Sequence, residues 1–400
     1  MSALFLARAL DMYLKEGGVV GFVMPRSIFS ADQHHNLRTG QASRINYTIV
    51  EVIDLENVKP LFYVPACAII AKKGGRMQYP IPATVVSGML PKDRHKIVGL
   101  REAGLSFDQR TLYLVSVGER SAWDYTPLTT KTSRSHYYDK FKQGATIVPR
   151  PLFFIDIIDI GEELAIVRSS RRAIERGEAK ARQLAISQRP VEKAYLYAVL
   201  TSNELVPFCY LQPSVAVLPI EPQRRGYALL RSDALRNRGH GYTAQWMEEA
   251  ERLWEEYRGE KKERMDIYGW LNYQNKLTSH DPSAKYRVVY SRSGTYLTAA
   301  VVPVGPRSVT VKTQTGDVEL ELRDTIIDNT LYVAHVDSLE EADYLAAVLN
   351  SSVLDREVKR FQTKGEFGAR DFHKKPLEFP IPKYNSESNI HKQLAEFGKT

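Results

Sequence analysis

At 400 residues the chain is long enough for two or three domains with proper cores, and its 43% hydrophobic and 26% charged residues are ordinary for a globular protein. Lys plus Arg outnumber Asp plus Glu by 55 to 47, a net charge of +8 with a pI near 9.2, which suits a polyanionic partner without establishing one. No run of about 18 apolar residues and no basic-then-apolar N-terminus occurs, so neither a membrane span nor a signal peptide is expected. The two cysteines, Cys67 and Cys209, have no metal-site spacing to each other or to a histidine, which points to a reduced cytoplasmic interior.

The first predicted element is a helix with Phe5, Leu6, Ala9, Leu10, Tyr13 and Leu14 on one face, ending at Gly17-Gly18. The apolar run Val19 to Met24 follows, stopped by Pro25, and reads as a strand buried on both faces. A second helix is expected over Ala31 to Arg38, then strands over Tyr47 to Leu55 and Pro65 to Lys73. His34-His35 within that helix read as surface residues, because neighbours on a helix point apart and no partner carboxylate has suitable spacing.

This stretch resembles the end of the catalytic domain of amino-type N6-adenine DNA methyltransferases of type I and type IIG restriction–modification systems. The family string "LK.GG..gFv.P" is matched by Leu14, Lys15, Gly17, Gly18, Gly21, Phe22, Val23 and Pro25. The string "dl..v..lF..p.caii" is matched by Asp54, Leu55, Val58, Leu61, Phe62, Pro65 and Cys67 to Ile70. The family's Gly-rich turn for S-adenosylmethionine and its Asn/Asp-Pro-Pro-Tyr tetrapeptide are not found: Asp281-Pro282-Ser283 lacks the second proline and the aromatic, and no strand leads into Gly239-His240-Gly241. The resemblance therefore implies a chain that does not methylate alone and needs an upstream polypeptide to hold S-adenosylmethionine.

Gly74 to Pro91 reads as a boundary. A β-rich run, Thr111 to Val117, precedes a basic stretch from Lys131 to Tyr138, and Gly144 to Ile155 reads as a turn into a strand. That string, "G..i.PR..f", resembles the opening of the family's target-recognition region. Arg168, Arg171, Arg172, Arg176, Lys180 and Arg182 form the densest basic cluster. Tyr195 to Leu200 looks helical, and Leu205 to Ile220 looks like a strand bounded by prolines. A long helix starts near Thr243, with Trp246, Ala250, Leu253, Trp254 and Tyr257 on one face and glutamates on the other, a packing or spacer element. Strands follow over Tyr286 to Tyr290, Thr298 to Val304, Val309 to Lys312 and Leu331 to His335. Ser338-Leu339-Glu340-Glu341 reads as a capping box ahead of a helix with Ala342, Leu345, Ala346 and Leu349 on one face. From there to Pro382 the sequence resembles the C-terminal part of the same recognition domain.

In the family an aromatic at the position of Phe62 stacks on an adenine flipped out of the duplex, since an exocyclic nitrogen cannot be methylated inside the stack. Phe62 packed in the sheet, or Tyr63 as the stacking ring, are the alternatives. Lys364, Arg370, His373, Lys374 and Lys375 lie in a Gly-punctuated loop with Phe367 and Phe372, suited to phosphate and guanine contacts or, alternatively, to a solvated basic loop. Arg150, Arg171 and Arg172, and likewise Lys131, Arg134 and His136, carry the same two readings. No residue set suggests a metal site, and neither Glu192-Lys193 nor Glu357-Val358-Lys359, both in helical surroundings, suits a nuclease core.

The expected fold is α/β, with a partial Rossmann-like methyltransferase sheet holding only the closing strands over residues 1–78. A mixed α+β target-recognition region follows, in a first part over 79–265 that ends in the long helix and a second part over 266–400. The expected function is DNA target recognition, with part of the catalytic domain, in a site-specific N6-adenine methyltransferase acting on double-stranded DNA. The competing readings are a non-catalytic DNA-binding specificity subunit and a remnant of a disrupted methyltransferase gene.

Overall fold

The computed structural model describes residues 2–41, 45–91, 103–128, 133–177, 181–258, 265–313, 316–365, 368–369 and 371–399. It is a mixed α/β protein with several sheets, divided into two compact units. The first comprises residues 1–136, 294–296 and 352–382, and the second comprises 137–293, 297–351 and 383–400.

The first unit opens with helix α1 (Ser2–Met12) and strand β1 (Val19–Pro25), joined through Gly17 at φ +80. Gly17 donates its N–H to the Lys73 carbonyl at 3.0 Å, so the turn is pinned to the far strand. A 3-10 turn over Asp32–His34 and helix α2 (His35–Arg38) occupy the predicted second helix, which is thus shorter and more irregular than its periodicity suggests, and a further 3-10 turn over Arg26–Phe29 precedes it. The reason is Arg38, which is fully buried and donates to the carbonyls of Ile28, Ala31 and Ser121 at 2.6, 3.0 and 2.8 Å. Those carbonyls are available because the preceding backbone is not regular helix. Burial lowers the Arg38 pKa to about 10. His34, expected on the surface, is buried, and His35 bonds Ser121 through Nδ1 at 2.9 Å.

Strands β2 (Tyr47–Lys59), β3 (Ala66–Lys73), β4 (Ile81–Met89), β5 (Ser106–Val117) and β6 (Arg120–Asp124) complete a sheet of order β1-β3-β2-β4-β5-β6. Strand β3 runs antiparallel to both β1 and β2, while β4 runs parallel to β2. The stretch that reads as a boundary therefore holds a strand of this sheet. Its turn-like prolines, Pro80 and Pro82, lie just before and inside β4, whose buried Ile81, Ala83 and Val86 join the same core as Val52, Ile69 and Ala71.

The apolar run of β1 is not buried on both faces: Val19 and Val23 are exposed while Met24 is buried. Helix α1 behaves likewise, burying Leu6 and Leu10 but leaving Phe5 in solvent, together with Tyr13 just beyond its end. The late segment 352–382 returns to this unit, where the Ser30 hydroxyl donates to the Gln362 carbonyl at 2.8 Å and Arg360 pairs with Asp124 at 3.1 Å.

In the second unit, β7 (Lys142–Gln143), β8 (Phe154–Ile160), β9 (Leu164–Ser169), helix α3 (Arg171–Glu175), β10 (Arg189–Glu192) and β11 (Leu196–Leu200) come first. Then follow β12 (Leu205–Val206), β13 (Cys209–Tyr210), β14 (Ser214–Val217), β15 (Ile220–Pro222), β16 (Tyr227–Leu229), α4 (Ser232–Asn237), α5 (Gly241–Tyr257) and α6 (Ile267–Leu271). The unit closes with β17 (Tyr286–Ser291), β18 (Ala299–Pro303), β19 (Arg307–Thr313), β20 (Gly316–Leu322), β21 (Thr325–Ile327), β22 (Leu331–Val336) and α7 (Leu339–Leu349), and with a terminal helix over Asn389–Gly398.

A six-stranded sheet runs β10-β9-β8-β14-β11-β21, and a four-stranded one runs β18-β17-β22-β7. The stretch read as helical, Tyr195 to Leu200, is thus an interior strand over Leu196–Leu200, with Tyr195 ending a 3-10 turn. All five residues of β11 are buried between β14 and β21, and a run apolar on both faces carries no period by which a strand and a buried helix differ. The expected strand over Leu205 to Ile220 is broken into β12, β13 and β14, with Phe208 at φ 66 turning the first pair.

Helix α5 buries Trp246, Ala250, Leu253 and Trp254 as its spacing predicts. Trp246 donates its indole N–H to the Leu152 carbonyl at 3.0 Å. Glu192, which ends β10 rather than lying in a helix, accepts the Tyr242 and Thr243 N–H groups at 3.0 and 2.6 Å, neutralising orphan donors of the first turn. Ser338 caps α7 by accepting from Glu341 N–H at 3.3 Å, but the reciprocal arm of a capping box is missing because the Glu341 carboxylate accepts the Tyr137 phenol at 2.8 Å instead. Gly144 is required by packing: a Cβ there would lie 2.3 Å from the Ile327 carbonyl oxygen.

The second unit also holds a buried polar cluster. Arg287 is fully buried and bonds Asp324 in a fork at 2.8 and 2.7 Å, while Tyr227 donates to the same carboxylate at 2.5 Å. His280 accepts the Ile327 N–H at Nε2, and His335 accepts the Asp281 N–H, so both rings serve as neutral acceptors.

Candidate nucleic-acid interface

In the first unit the loop of residues 60–65 between β2 and β3 presents four consecutive apolar side chains to solvent, with Leu61 39%, Phe62 50%, Tyr63 83% and Val64 45% exposed. Phe62 is therefore not packed in the sheet. Arg26 anchors the loop, since its N–H donates to the Pro65 carbonyl at 2.7 Å. Its guanidinium meets both Asp54 oxygens at 3.0 Å and Glu56 at 3.1 Å. Tyr125 donates to Asp54 at 2.7 Å, and the Asp54 carboxylate also accepts the Glu56 N–H at 3.1 Å. Burial works against the Arg26 charge, but the Asp54 and Glu56 carboxylates outweigh it, so its pKa is raised. Burial, then Asp54, push the Tyr125 phenol up, so it stays a donor. The arrangement is a rigid polar base beneath an exposed aromatic tip.

The basic residues expected to meet DNA separate into different settings. Lys131, Arg370 and the Lys364 side chain lie outside the described residues. Arg134 is exposed and pairs with the buried Glu378 at 3.1 Å. His373 is exposed, adopts φ 42 and pairs with Asp371 at 2.8 Å, while Lys374 is half-buried. Lys375 does not join that surface: it is 2% exposed, and its ammonium donates to the Asp371 carboxylate at 2.8 Å. A buried ammonium needs partners, and Asp371 supplies them through its carboxylate and its carbonyl. Burial opposes the Asp371 charge, but the His373 and Lys375 hydrogen bonds outweigh it and hold its carboxyl well below the usual range.

In the second unit, Arg150 and Arg172 converge on one cavity of about 420 Å³, within the size range of small-molecule sites. Arg171 projects from the same short helix as Arg172 but does not line the cavity, and its N–H is held by Asp156 at 3.0 Å. Phe154, Tyr257, Trp270, Pro149, Pro151 and Ala173 supply apolar walls. Arg150 lies 5.3 Å over the Phe154 ring and pairs with the fully buried Asp328 at 3.2 Å. Burial pushes the Asp328 carboxyl up. Arg172 pairs with Glu204 at 3.4 Å, and Glu204 also accepts from the Thr201 N–H and hydroxyl at 3.1 and 2.5 Å. Arg176 lines the same cavity, is exposed, and makes no side-chain hydrogen bond or ion pair among the described residues. The arginine cluster signals this region in the sequence. Tyr257 and Trp270 give no such signal, because their distance from Arg172 along the chain hides their approach.

Among the described residues no helix is long and apolar enough to cross a membrane, and no group of three or more His, Cys, Asp or Glu is placed to hold a metal ion.

No protein-family model matches the chain, and no curated protein matches it. Among solved structures it is similar to the type IIL restriction-modification enzyme MmeI in complex with DNA, with a TM-score of 0.45 and 9% identity over 95% of this chain and 41% of that one. It is also similar to the type IIG restriction endonuclease BpuSI, with a TM-score of 0.32 and 12% identity over 99% of this chain and 43% of that one. The chain spans less than half the length of either.

Proposed function

We propose that the chain is the closing part of the methyltransferase domain, together with the target-recognition part, of a site-specific N6-adenine DNA methyltransferase of the restriction–modification type. The observation that carries this reading is the loop of residues 60–65. An aromatic tip half or more in solvent, fixed from below by Arg26 and Asp54, is what a ring needs in order to stack on a base drawn out of a duplex. The resemblance strings meet here, since Arg26 directly follows the Pro25 of the first and Asp54 opens the second.

A second observation favours this reading over a self-contained specificity subunit. Strand β1 is an outer strand among the described residues, and its Val19 and Val23, with Phe5 of α1 and Tyr13 just after it, leave apolar surface uncovered. A partner polypeptide carrying the S-adenosylmethionine site would cover that edge and face. In the assembled enzyme that cofactor supplies the methyl group, and this chain contributes the stacking ring and the basic surfaces.

The test mixes the chain with a polypeptide bearing the S-adenosylmethionine-binding part of such an enzyme and follows methyl transfer to duplex DNA. Transfer that appears only in the mixture, and falls with Phe62→Ala, supports the reading. Cofactor never consumed, with no association between the two polypeptides, sinks it. Binding to duplex DNA without salt dependence counts against use of the basic surfaces.

A further inference from the structure

We infer that the cavity between β8, α3 and α6 of the second unit is a binding site for a single nucleotide, taking the base against its ring wall and the phosphate at Arg176. This deepens the nucleic-acid reading and rests on it for the source of the nucleotide.

Charge, shape and wall chemistry point the same way. Of the three arginines lining the cavity, Arg150 is neutralised by Asp328 and Arg172 by Glu204. That leaves the Arg176 guanidinium as the uncompensated charge among the described lining residues, matched to a phosphodiester, which carries one negative charge. Arg172 and Arg150 are held in place by their own partners, so they border the space without closing it.

The opposite walls are flat and apolar. Trp270 stacks on Trp254 at 5.8 Å between centroids and 26° between planes, which fixes its ring, and Tyr257 packs against Trp254 at 5.9 Å. Such rings hold a nucleobase by its π-face, and Arg150 already engages Phe154 in this manner. The Asn203 side chain lines the cavity with a carboxamide whose nitrogen donates to Thr201 at 3.3 Å. Its oxygen accepts no hydrogen bond among the described residues, so it can take one from an exocyclic amino group. An aliphatic anion would use Arg176 but leave the ring wall and the carboxamide unmatched.

The experiment titrates the full chain with deoxyadenosine monophosphate, with a single-stranded oligonucleotide and with inorganic phosphate, by calorimetry at low and moderate salt. Two variants accompany it. Ala173→Phe fills the cavity, and Arg176→Gln removes the rim charge from an exposed side chain whose loss leaves no partner behind. Uptake of the nucleotide and the oligonucleotide, weakened about tenfold by each variant, supports the site, as one stacked base or one charge-assisted contact is worth that much. Phosphate competing as well as the nucleotide overturns the base-binding part. Duplex DNA bound with normal salt dependence, without nucleotide uptake and unaffected by either variant, overturns the cavity and leaves the nucleic-acid reading standing. Nucleotide uptake without duplex binding does the reverse. Arg176→Gln keeps the test decisive if Ala173→Phe fails to fold.

Discussion

Arg26 and Asp54 face each other at 3.0 Å, and this contact joins the two most recognisable stretches of the chain. The arginine extends from the end of β1, and the aspartate sits within β2. Their union fixes where the loop carrying Phe62 begins and ends, because Arg26 also holds the Pro65 carbonyl. Asp54→Ala strands a largely enclosed guanidinium and the Tyr125 hydroxyl together. Urea unfolding should report a loss of about 3–5 kcal/mol, the usual cost of removing one member of an enclosed pair, and an unchanged midpoint would sink the idea.

Phe62→Ala should behave in the opposite manner. The ring is half exposed, so stability should move by no more than about 0.5 kcal/mol. Binding to a duplex that offers an unpaired adenine should weaken by about 1–3 kcal/mol, measured by fluorescence anisotropy. Tyr63→Ala, taken alongside, decides which ring stacks.

Lys375→Met separates a structural lysine from a DNA-contacting one. With its ammonium gone, Asp371 loses one of its two side-chain partners, and stability should fall by about 1–3 kcal/mol. The slope of DNA affinity against salt should stay as it was. A slope reduced by about one unit would restore Lys375 to the DNA-binding surface.

The buried imidazoles give the second unit an acid limit. Burial, with Arg287 nearby, lowers the pKa of His280 to about 3 and that of His335 to about 4. Unfolded histidines titrate near 6.5, so below that pH the unfolded chain binds protons that the folded one refuses. Stability is complete above about pH 6.5 and falls as pH drops towards 4, by about 1.4 kcal/mol per pH unit for each ring. Urea midpoints at pH 7.5, 6 and 5 check this, and a flat profile would contradict it.

Gly144→Ala tests whether the glycine of the "G..i.PR..f" string serves packing. The added carbon would press on the Ile327 and Asp328 carbonyls, and overpacking of this kind costs about 1–3 kcal/mol. A thermal midpoint equal to that of the parent would remove the packing explanation.

Elements with a polar face were legible in the sequence. Helix α5 buried Trp246, Ala250, Leu253 and Trp254 because its period of 3.6 was interrupted by charge, whereas α7 buried Asp343, Tyr344 and Ala347 beside the predicted residues, a wider face than its spacing gives. Strand β11 was not legible: Leu196 to Leu200 is enclosed on every side, and the pairing with β21 that decides its conformation lies more than a hundred residues away. Charge misled in the same way. Lys375 reads as a DNA contact or part of a solvated loop, yet it is enclosed by a carboxylate that no local pattern announces. The sequence left Phe62 open between the sheet and solvent, and only the structure puts the ring outside the sheet. The cavity of Arg150, Arg172 and Arg176 was only half legible, since its basic side is contiguous and its aromatic side is not.

Strand β21 lies beside β11 in parallel, pairing Ala198 with Thr325. During synthesis the ribosome must therefore release more than three quarters of the chain before the six-stranded sheet of the second unit can close. Until then β11, wholly apolar, stands as an open edge on the nascent polypeptide. The first unit waits longer still, because Arg360 and Gln362 follow β21 by more than thirty residues. Unpaired edges that wait on distant partners are where a chain is exposed to aggregation during folding.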